Sequence, residues 1–409
     1  MGIKALLQYL RELNPAIVQS CDLTEMSGYR IAIDLAILAY QKKSQYISKT
    51  CVKLDLVYEE VDYVAARDYM LRQILRVMYE ILIAGCIPVG VFDGLAPDLK
   101  VGTKRDRAAK AAKRRRNIDG LRRICRGLLG NTPFALSEED ITFVKGFEKK
   151  GKSMSTIDDL RKQLQTEIKG HIVVTSDDYY RLGAIFSAIG MPHIYAPSEA
   201  EQTCAAMARH RDVLAVLTTD SDCLVYGCPI MISKFISSAS TRVTAPPKVE
   251  CYSFNNVLKV TQLTNTQFYD FSIMLGTDFN KNSKGYGPVF IYDLIMEYGS
   301  ITRMIERKKE LTEIINFQPW TKLTKIERSL LGHDFDVLNY DKVRCFFSMP
   351  IIYDKNALKV RIVDDQFERA FNSLNQTIGA DFVLQIMDIC KKIIDKLHSV
   401  SKFCKHKDE

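Results

Sequence analysis

The stretch that most constrains this chain is an acidic unit near its middle. It opens with APSEAEQ at 196–202, continues into an apolar run at 213–217, and closes with TTDSDCL at 218–224. Carboxylates at this density repel one another, and buried ones must take up protons unless a cation compensates them. Carboxylate clusters suit Mg²⁺ or Mn²⁺, and pairs of such ions suit phosphodiester hydrolysis. The four carboxylates are Glu199, Glu201, Asp220 and Asp222.

A purely structural alternative exists for the same residues. Asp commonly ends a strand and caps the next helix. Ser198, with Glu201 three residues later, also matches a capping box, so we predict a helix at 198–209 with Ser198 as its N-cap. From these residues alone, Glu201 is either a ligand or a cap.

Strand and helix patterns alternate along the first 233 residues. We predict strands at 29–34, 87–94, 191–195, 213–218 and 230–233, and helices at 4–13, 35–41, 61–84, 177–189 and 198–209. This alternation indicates an α/β fold with a mostly parallel central sheet flanked by helices.

Three of these strands end in acidic groups. They are Asp34, Asp93 and the pair Asp220 and Asp222. Ligands of an open parallel sheet bind outside the carboxyl ends of its strands. We therefore expect residues that are distant in sequence to converge on one edge.

Composition sets wider limits on the protein. A chain of 409 residues with 47% hydrophobic and 26% charged residues can bury a large core. No run of eighteen apolar residues and no signal-peptide pattern is present, so we expect neither a membrane span nor secretion. The eleven Cys lack CxxC spacing, which favours free thiols in a reducing compartment; with a function on nucleic acid, that compartment would be the nucleus or the cytoplasm.

A strongly basic segment follows the second strand. Residues 100–126 carry twelve Lys and Arg against two Asp, more positive charge than the whole chain, whose net charge is +8. We predict a helix with a poor apolar face, which lies in solvent or against a polyanion rather than in a core. Residues 127–170 are predicted to be a weakly ordered insertion.

Glycines precede a helix in the third quarter of the chain. Gly285 and Gly287 lie before Pro288, and the helix is predicted to run from 289 to 298. Such a helix N-terminus can bind phosphate through its backbone N–H groups. Asp278, just upstream, either caps a helix or joins the acidic cluster.

The chain resembles the flap endonuclease family of XPG-type structure-specific 5′ nucleases. The similarity runs from residue 1 to about 300, leaving out 127–170. It rests on motifs in the family's order: MGI at 1–3, ID at 33–34 with YQ at 40–41, VFDG at 91–94 with Pro97 and Lys100, APSEAE at 196–201, DSDCL at 220–224, GTD at 276–278 and GYGP at 285–288.

The resemblance implies a PIN-like nuclease core, a basic helical arch and a helix–two-turn–helix element. It implies seven metal-binding carboxylates: Asp34, Asp93, Glu199, Glu201, Asp220, Asp222 and Asp278. Of these, Asp34, Asp93, Glu199 and Asp220 are expected to be catalytic, together with Lys100 and Arg107 acting on the scissile phosphate. Lys104 and Arg105 compete with Arg107 for its role. Tyr40 is expected either to stack on a base or to be a core tyrosine.

The resemblance also implies cofactors and contacts with DNA. Two Mg²⁺ ions, replaceable by Mn²⁺, would activate water and leave a 5′-phosphate and a 3′-hydroxyl, while K⁺ would bind at the helix–two-turn–helix. The expected partner is branched or nicked DNA with single-stranded 5′ flaps or ends, bound by a monomer. The implied DNA-binding residues are Gly2, Tyr40, Lys100, Arg105, Arg107, Lys113, Arg114, Arg115, Gly285 and Gly287.

This interpretation divides the chain into five regions. They are a nuclease region at 1–100, an arch with an insertion at 101–176, a second nuclease region at 177–263, a duplex-binding element at 264–310, and a helical region with a basic tail at 311–409. Rival interpretations are a non-catalytic DNA-binding scaffold, which should have lost some acidic ligands, and a nuclease acting mainly on RNA.

Two features depart from the family pattern. The spacing from Asp93 to Glu199 is long, so the arch is enlarged and the preferred substrate stays open among flap, gap, bubble, nick and free end. Residues 376–383 lack two apolar positions of a sliding-clamp-binding box, which argues against a clamp partner and for an ordinary helix start. A virus-encoded member, acting in a virus factory, fits both departures.

Overall fold

The computed structural model describes residues 3, 5–95, 97, 100–130, 134–148, 153–236, 247–282, 285–315, 323–361 and 367–404. Gly2, an expected DNA-binding residue, lies outside the described residues. The strands are β1 (Val18–Asp22), β2 (Arg30–Asp34), β3 (Ile87–Phe92), β4 (His193–Tyr195), β5 (Ala215–Leu217), β6 (Ile230–Ile236) and β7 (Lys248–Ser253).

Helices make up most of the remaining described structure. They are α1 (Leu6–Leu13), α2 (Leu35–Thr50), α3 (Tyr63–Ile83), α4 (Val101–Leu129), α5 (Glu138–Lys145), α6 (Ile157–Gly170), α7 (Ser176–Ala188), α8 (Ala200–Arg209), α9 (Asp222–Val225), α10 (Phe254–Thr261), α11 (Asn265–Leu275), α12 (Pro288–Tyr298), α13 (Ile301–Ile315), α14 (Lys325–Gly332), α15 (Tyr340–Ser348), α16 (Phe367–Ile378) and α17 (Ala380–Ser401). None of these helices has both the length and the apolar character that crossing a bilayer requires.

The strands form one seven-stranded sheet in the order β1-β7-β6-β5-β2-β3-β4. The five strands from β6 to β4 are parallel to one another, and β7 pairs antiparallel with both β6 and β1. The predicted mostly parallel α/β fold is therefore confirmed. β1 and β7 were not predicted because their sequences, VQSCD and KVECYS, carry few of the apolar residues that mark a buried strand.

Helices cover both faces of the sheet, as parallel sheets require. One face packs against α1, α8 and the α10–α15 helices, with Ala32, Val89 and Val216 pointing toward them. The other face packs against α3, α7 and the returning C-terminal helices, with Ile31 and Ile33 pointing that way. Alternate residues of β2 thus enter two different hydrophobic clusters.

The chain after α15 returns to the sheet. α16 and α17 contribute buried apolar side chains to the cluster that contains α3 and α7. Residues 376–383 span the end of α16, a turn at Gly379 and the start of α17, and Phe382 and Val383 are buried. This segment is the ordinary helix start expected from its sequence.

The prediction for residues 127–170 was wrong. The described part forms α5 and α6, each begun by a capping box, Ser137 with Asp140 and Thr156 with Asp159. Leu160, Leu164 and Ile168 of α6 are buried against α4 in a separate hydrophobic cluster. A single short stripe of apolar residues is enough to dock a helix, although the segment as a whole reads as polar.

The prediction that α4 stands away from any core was also wrong for its second half. Its first half is exposed, but Ile118, Leu121, Ile124 and Cys125 are buried and face α6. These residues recur at helical spacing. The basic residues that surround this stripe hide it when charge is averaged over the whole segment.

Candidate active site

The predicted acidic convergence lies at the carboxyl ends of four neighbouring strands, β5-β2-β3-β4. These strands end at about the same height in the sheet, because Ile33 pairs with Leu217 and Asp34 pairs with Val91. Asp34 ends β2, Asp93 follows β3, Glu199 follows β4, and Asp220 follows β5. The parallel sheet therefore gathers side chains separated by more than 180 residues of chain.

Asp34 is both a helix cap and a member of the cluster. Its Oδ1 accepts the Ile37 N–H at 3.1 Å, which caps α2. Its Oδ2 accepts the Thr218 hydroxyl at 2.9 Å, which ties the ends of β2 and β5 together. Capping a helix and belonging to the acidic cluster thus coexist in one buried carboxylate.

The predicted cap at Ser198 was wrong. α8 starts at Ala200 with Glu199 in the N-cap position, and no side chain of its own caps it. The carboxylate of Asp93 instead accepts the Ala200 N–H at 3.0 Å from the neighbouring strand end. α8 has no capping box, and the carboxylate of Glu201 instead lies 3.8 Å from the Lys100 ammonium.

Gly94 allows this close approach. A Cβ built on Gly94 would lie 1.8 Å from the carbonyl oxygen of Ala196. The backbone N–H of Gly94 donates to the Ser198 carbonyl at 2.7 Å. The glycine of the VFDG motif therefore holds the end of β3 against the loop that carries Glu199.

Lys100 occupies the centre of the carboxylates. It is the N-cap residue of α4 and only 7% exposed. Its ammonium pairs with Glu199 and, at 3.1 Å, with Asp278. It also lies 5.0 Å from the centroid of the Phe279 ring, a cation–π distance.

Asp278 joins the cluster rather than capping a helix. It pairs with Arg107 of α4 at 2.6 Å, and its backbone carbonyl accepts the Thr103 hydroxyl at 2.6 Å. Asn280 shapes this turn, because its side chain accepts from the Thr277 hydroxyl at 2.6 Å and donates to the Ile273 carbonyl at 2.8 Å. The start of α4 is thereby fastened to the turn after α11.

These groups surround a cavity of about 270 Å³, which we call the acidic cavity. Six of the seven expected ligands line it, namely Asp34, Asp93, Glu199, Glu201, Asp220 and Asp278. Asp222 does not line it. Asp222 is 1% exposed, and neither of its carboxylate oxygens has a hydrogen-bond partner among the described residues.

The donor set fits a hard divalent cation. All the candidate ligands are carboxylates, as Mg²⁺ prefers, and the unpartnered oxygens of buried Asp222 lack compensation. Within the described part of the chain, however, no three Asp, Glu, His or Cys side chains are grouped closely enough to hold a metal ion. Lys100 lies among these carboxylates and supplies the positive charge that a metal would bring.

Crowding of carboxylates changes their proton affinities. Burial raises the pKa of Asp34 to about 7, and Asp93 adds to the rise. Burial, then Glu199, raises the pKa of Glu201 well above its usual value, and burial, then Asp220, does the same for Asp222. Burial also acts to raise the pKa of Asp278, but Lys100 and Arg107 outweigh it and leave the pKa below its usual value. The positive charge of Lys100 and Arg107 therefore compensates Asp278 but leaves the buried carboxylates of the cluster short of positive charge.

Of the basic residues Lys104, Arg105 and Arg107 near the start of α4, Arg107 is the arginine that reaches the acidic cavity. Lys104 lines the acidic cavity, whereas Arg105 lines neither this cavity nor the second one described next. This second cavity, of about 940 Å³, lies between α2, α4, α5 and α6 and is called the arch cavity. Of the expected DNA-binding residues, it is lined by Tyr40, Arg107, Lys113 and Arg114, and not by Arg115.

Tyr40 is a surface residue of α2. It exposes 37% of its surface and lines the arch cavity, so it is not a core tyrosine. In the duplex-binding element, Gly285 has a positive φ of 85° and Gly287 is the N-cap residue of α12, with Pro288 in the first turn. α12 thus begins directly after the glycines, and phosphate binding by its backbone N–H groups stays a prediction.

Several residues of the site were not found from the sequence. Tyr226 is buried and donates its hydroxyl to Glu199 at 3.4 Å. The hydroxyl of Ser221 accepts the backbone N–H of Ile3 at 2.8 Å, which holds Ile3 beside Asp220. Ser221 lies inside the DSD motif and could have been noticed there, but nothing in the local sequence distinguishes Tyr226 from a core tyrosine.

Comparison with known proteins places this geometry in a family. Family models match the XPG N-terminal domain at residues 1–114 and the XPG I-region at 190–278. The chain is 27% identical over 413 residues to flap endonuclease 1 of Entamoeba dispar, covering 100% of this chain and 94% of that protein. It is 26% identical over 308 residues to the Homo sapiens flap endonuclease 1, covering 75% and 69%.

Solved structures share the fold. The catalytic core of Rad2 in complex with DNA substrate matches with a TM-score of 0.61 and 20% identity, covering 96% of this chain and 100% of that one. Flap endonuclease-1 from Methanococcus jannaschii matches with a TM-score of 0.52 and 19% identity, covering 94% and 96%. The solved structures show the shared fold, and the family models and the curated relatives show that the chain belongs to the flap endonuclease and XPG family.

Proposed function

We propose that this protein is a structure-specific 5′ nuclease that hydrolyses phosphodiester bonds in DNA where a single 5′ strand leaves a duplex. One observation carries the proposal: six carboxylates from four strand ends and one turn share a cavity with Lys100 and Arg107 at the start of a basic helix. Such an enzyme would act as a flap endonuclease and 5′–3′ exonuclease in replication, repair or recombination.

The family is metal-dependent, generally with Mg²⁺. We propose that Asp34, Asp93 and Glu199 hold one ion and that Asp220, Asp222 and Asp278 face a second, with Glu201 between the two groups. When bound, Mg²⁺ or Mn²⁺ supplies an activated water and neutralises charge on the phosphate. The unpartnered oxygens of Asp222 and the raised pKa values of Asp34 and Glu201 support this assignment.

Lys100 and Arg107 act on the phosphate itself in this proposal. Both side chains lie at the acidic cavity, and both are held there by carboxylates that would turn toward metal. When a phosphate enters the cavity, Lys100 and Arg107 would give up their contacts with the carboxylates and bind the phosphate oxygens instead. Positive charge placed there counts most when the phosphate gains negative charge in the transition state.

Duplex binding is assigned to α11, α12 and the turn between them. The N-terminus of α12 presents backbone N–H groups after Gly287, which suits a backbone phosphate. We propose a K⁺ ion near this turn as a bridge to the phosphate. Contacts of this kind are independent of base sequence and weaken with salt.

Cleavage of a 5′-labelled double-flap DNA with Mg²⁺ tests the function. Wild type should cut near the flap base, and neither chelated enzyme nor the Asp220→Ala variant should cut. Equal cutting by Asp220→Ala would overturn the site assignment. Tight flap binding without cutting of DNA or RNA flaps by wild type would favour a non-catalytic scaffold, and cutting of RNA flaps alone would favour an RNA nuclease.

A further inference from the structure

The arch cavity has two chemically different walls. One wall is α4, which presents Lys110, Lys113 and Arg114. Among the described residues, none of these three cations forms an ion pair with a carboxylate. Glu148 and Glu167 also line the cavity, and Gln163 donates to Glu167 at 3.0 Å. The cationic wall is thus left available for an anionic ligand.

A second wall, formed by α5 and the residues just after it, carries two aromatic rings. Phe143 of α5 and Phe147 just after it both line the cavity and stand edge to face, with ring centroids 5.2 Å apart and an interplanar angle of 87°. Both are half-buried, so each keeps part of a ring toward the cavity. Tyr40, on α2, adds a third ring, and this one is exposed.

Glycines in the walls make room for these side chains. A Cβ on Gly120, in the middle of α4, would lie 2.8 Å from Cζ of Phe143. A Cβ on Gly170, the last residue of α6, would lie 1.5 Å from a guanidinium nitrogen of Arg114. The ring and the guanidinium are therefore seated directly on backbone of the neighbouring helix, which fixes the two walls relative to each other.

The arch cavity adjoins the acidic cavity. Arg107 lines both, so a strand leaving the carboxylates passes this residue and enters the space between the cationic and aromatic walls. Its volume of about 940 Å³ is at the upper end of the range for ligand pockets. Phosphates on one side and base faces on the other are what an unpaired strand presents, whereas a duplex hides its base faces.

From these contacts, and resting on the nuclease function proposed above, we infer that Phe143 and Phe147 form a stacking platform for unpaired nucleotides of the 5′ strand. The cations of α4 hold the phosphates of the same nucleotides. The enlarged region between Asp93 and Glu199 is then a specificity element. It selects substrates with a single-stranded 5′ flap over nicks and blunt ends, and it does so without reading base sequence.

The test compares two DNAs that differ only in the flap. A nicked duplex and the same duplex with a 5′ flap are titrated with protein, with Ca²⁺ replacing Mg²⁺ to prevent cutting. The variants are Phe143→Leu with Phe147→Leu, which keep apolar volume but remove the ring faces. Phe403→Leu is the matched control, because Phe403 is 75% exposed beyond the end of α17. Melting temperatures verify that each variant is folded.

We expect the double variant to bind flap DNA about tenfold more weakly, within the range for base–aromatic stacking. Its affinity for the nicked duplex and both affinities of Phe403→Leu should equal those of wild type. A 2-aminopurine base in the flap should be quenched by wild type and not by the double variant. Unchanged flap affinity, or an equal loss on both DNAs, would overturn the inference.

Failure of the proposed nuclease function would give a different result from failure of the stacking platform. In that case wild type itself would not cut the flap substrate with Mg²⁺. If wild type cuts flaps while the double variant keeps full flap preference, the nuclease stands and the stacking platform is wrong.

Discussion

The acidic cavity and the arch cavity are adjacent but built by opposite means. The acidic cavity collects buried carboxylates from the rigid ends of parallel strands, and its chemistry is set by charge that the protein compensates only in part. The arch cavity lies between α2, α4, α5 and α6, which share a separate hydrophobic cluster. The acidic cavity is suited to catalysis, and the arch cavity is suited to selecting the DNA that reaches the catalytic carboxylates.

The difference teaches where selectivity is easiest to vary. Changing a strand-end carboxylate disturbs caps and buried contacts, because Asp34 holds both α2 and β5. Changing a residue of α5 or α6 disturbs only the arch cluster. Variants in the two regions should therefore separate loss of cleavage from loss of substrate preference.

The largest effect is expected from Asp34→Asn. The amide can still accept the Ile37 N–H, so the fold should survive, but the charge needed beside the metal is lost. Single-turnover cleavage should fall by about a thousandfold on flap and nick alike. A loss confined to flap substrates would contradict the division between the two cavities.

Lys100→Met should produce two opposite changes. Cleavage should fall by about a hundredfold, because the phosphate loses a cation. Metal affinity of the DNA-free protein should rise by about tenfold, because the ammonium no longer pairs with Glu199 and Asp278. Mn²⁺ titration followed by electron paramagnetic resonance measures this second change.

The control for this experiment is Lys110→Met, on the same helix but lining the arch cavity. It should leave Mn²⁺ affinity unchanged. An Mn²⁺ affinity of Lys100→Met equal to that of wild type would show that Lys100 does not occupy the place of the metal.

Gly120→Ala should weaken flap preference by a few-fold while leaving the fold intact. The new methyl meets Phe143 at 2.8 Å and must displace the ring, although alanine favours the helix by about 1 kcal/mol. Gly102→Ala, also in α4, meets nothing within 4 Å and is its control. Flap and nick affinities with melting temperatures measure the effect, and equal behaviour of both variants would remove the role given to the Phe143 ring.

The smallest effect is a pH dependence of stability in metal-free protein. The folded pKa of Asp34 is about 7, above its usual value, so the folded state binds more protons than the unfolded state below that pH. The stability contribution of Asp34 therefore falls as pH rises from about 4 to about 7. Asp34→Asn lacks this loss, and its melting temperature should exceed that of wild type at pH 8 and approach it near pH 5.

Histidines with lowered pKa values are present in both proteins, so the comparison between variant and wild type cancels them. Adding Mg²⁺ should raise the melting temperature of wild type more than that of Asp34→Asn at pH 8. A constant difference between the two proteins across this pH range would refute the charge crowding described at Asp34.

The sequence predicted the acidic cavity well because its determinants are local. A buried strand ending in Asp, as at Asp34 and Asp93, specifies both the element and the side chain at its end. The sheet then brings these ends level without further information. The contacts of Lys100 with three carboxylates could not be predicted, because they depend on how α4 meets the turn at Asp278.

The prediction for the helices around the arch cavity was wrong because the determinants of their packing are not local. These helices dock through sparse residues such as Ile118 and Leu164, each surrounded by charged neighbours. The antiparallel strands β1 and β7 were missed for the same reason, since pairing of β7 with β1 and β6 supplies what their sequences lack. Short polar elements are stabilised by contacts with residues distant in sequence. The pattern within one segment does not reveal those contacts.

The most direct test of the account is an anomalous diffraction experiment on crystals with flap DNA product and Mn²⁺. We predict Mn²⁺ peaks among Asp34, Asp93, Glu199 and Asp220, with the Lys100 ammonium moved from Glu199 onto a phosphate oxygen. Lys100 still paired with Glu199 and Asp278, and no anomalous peak at these carboxylates, would contradict the central claim that this edge of the sheet is a metal-dependent nuclease centre.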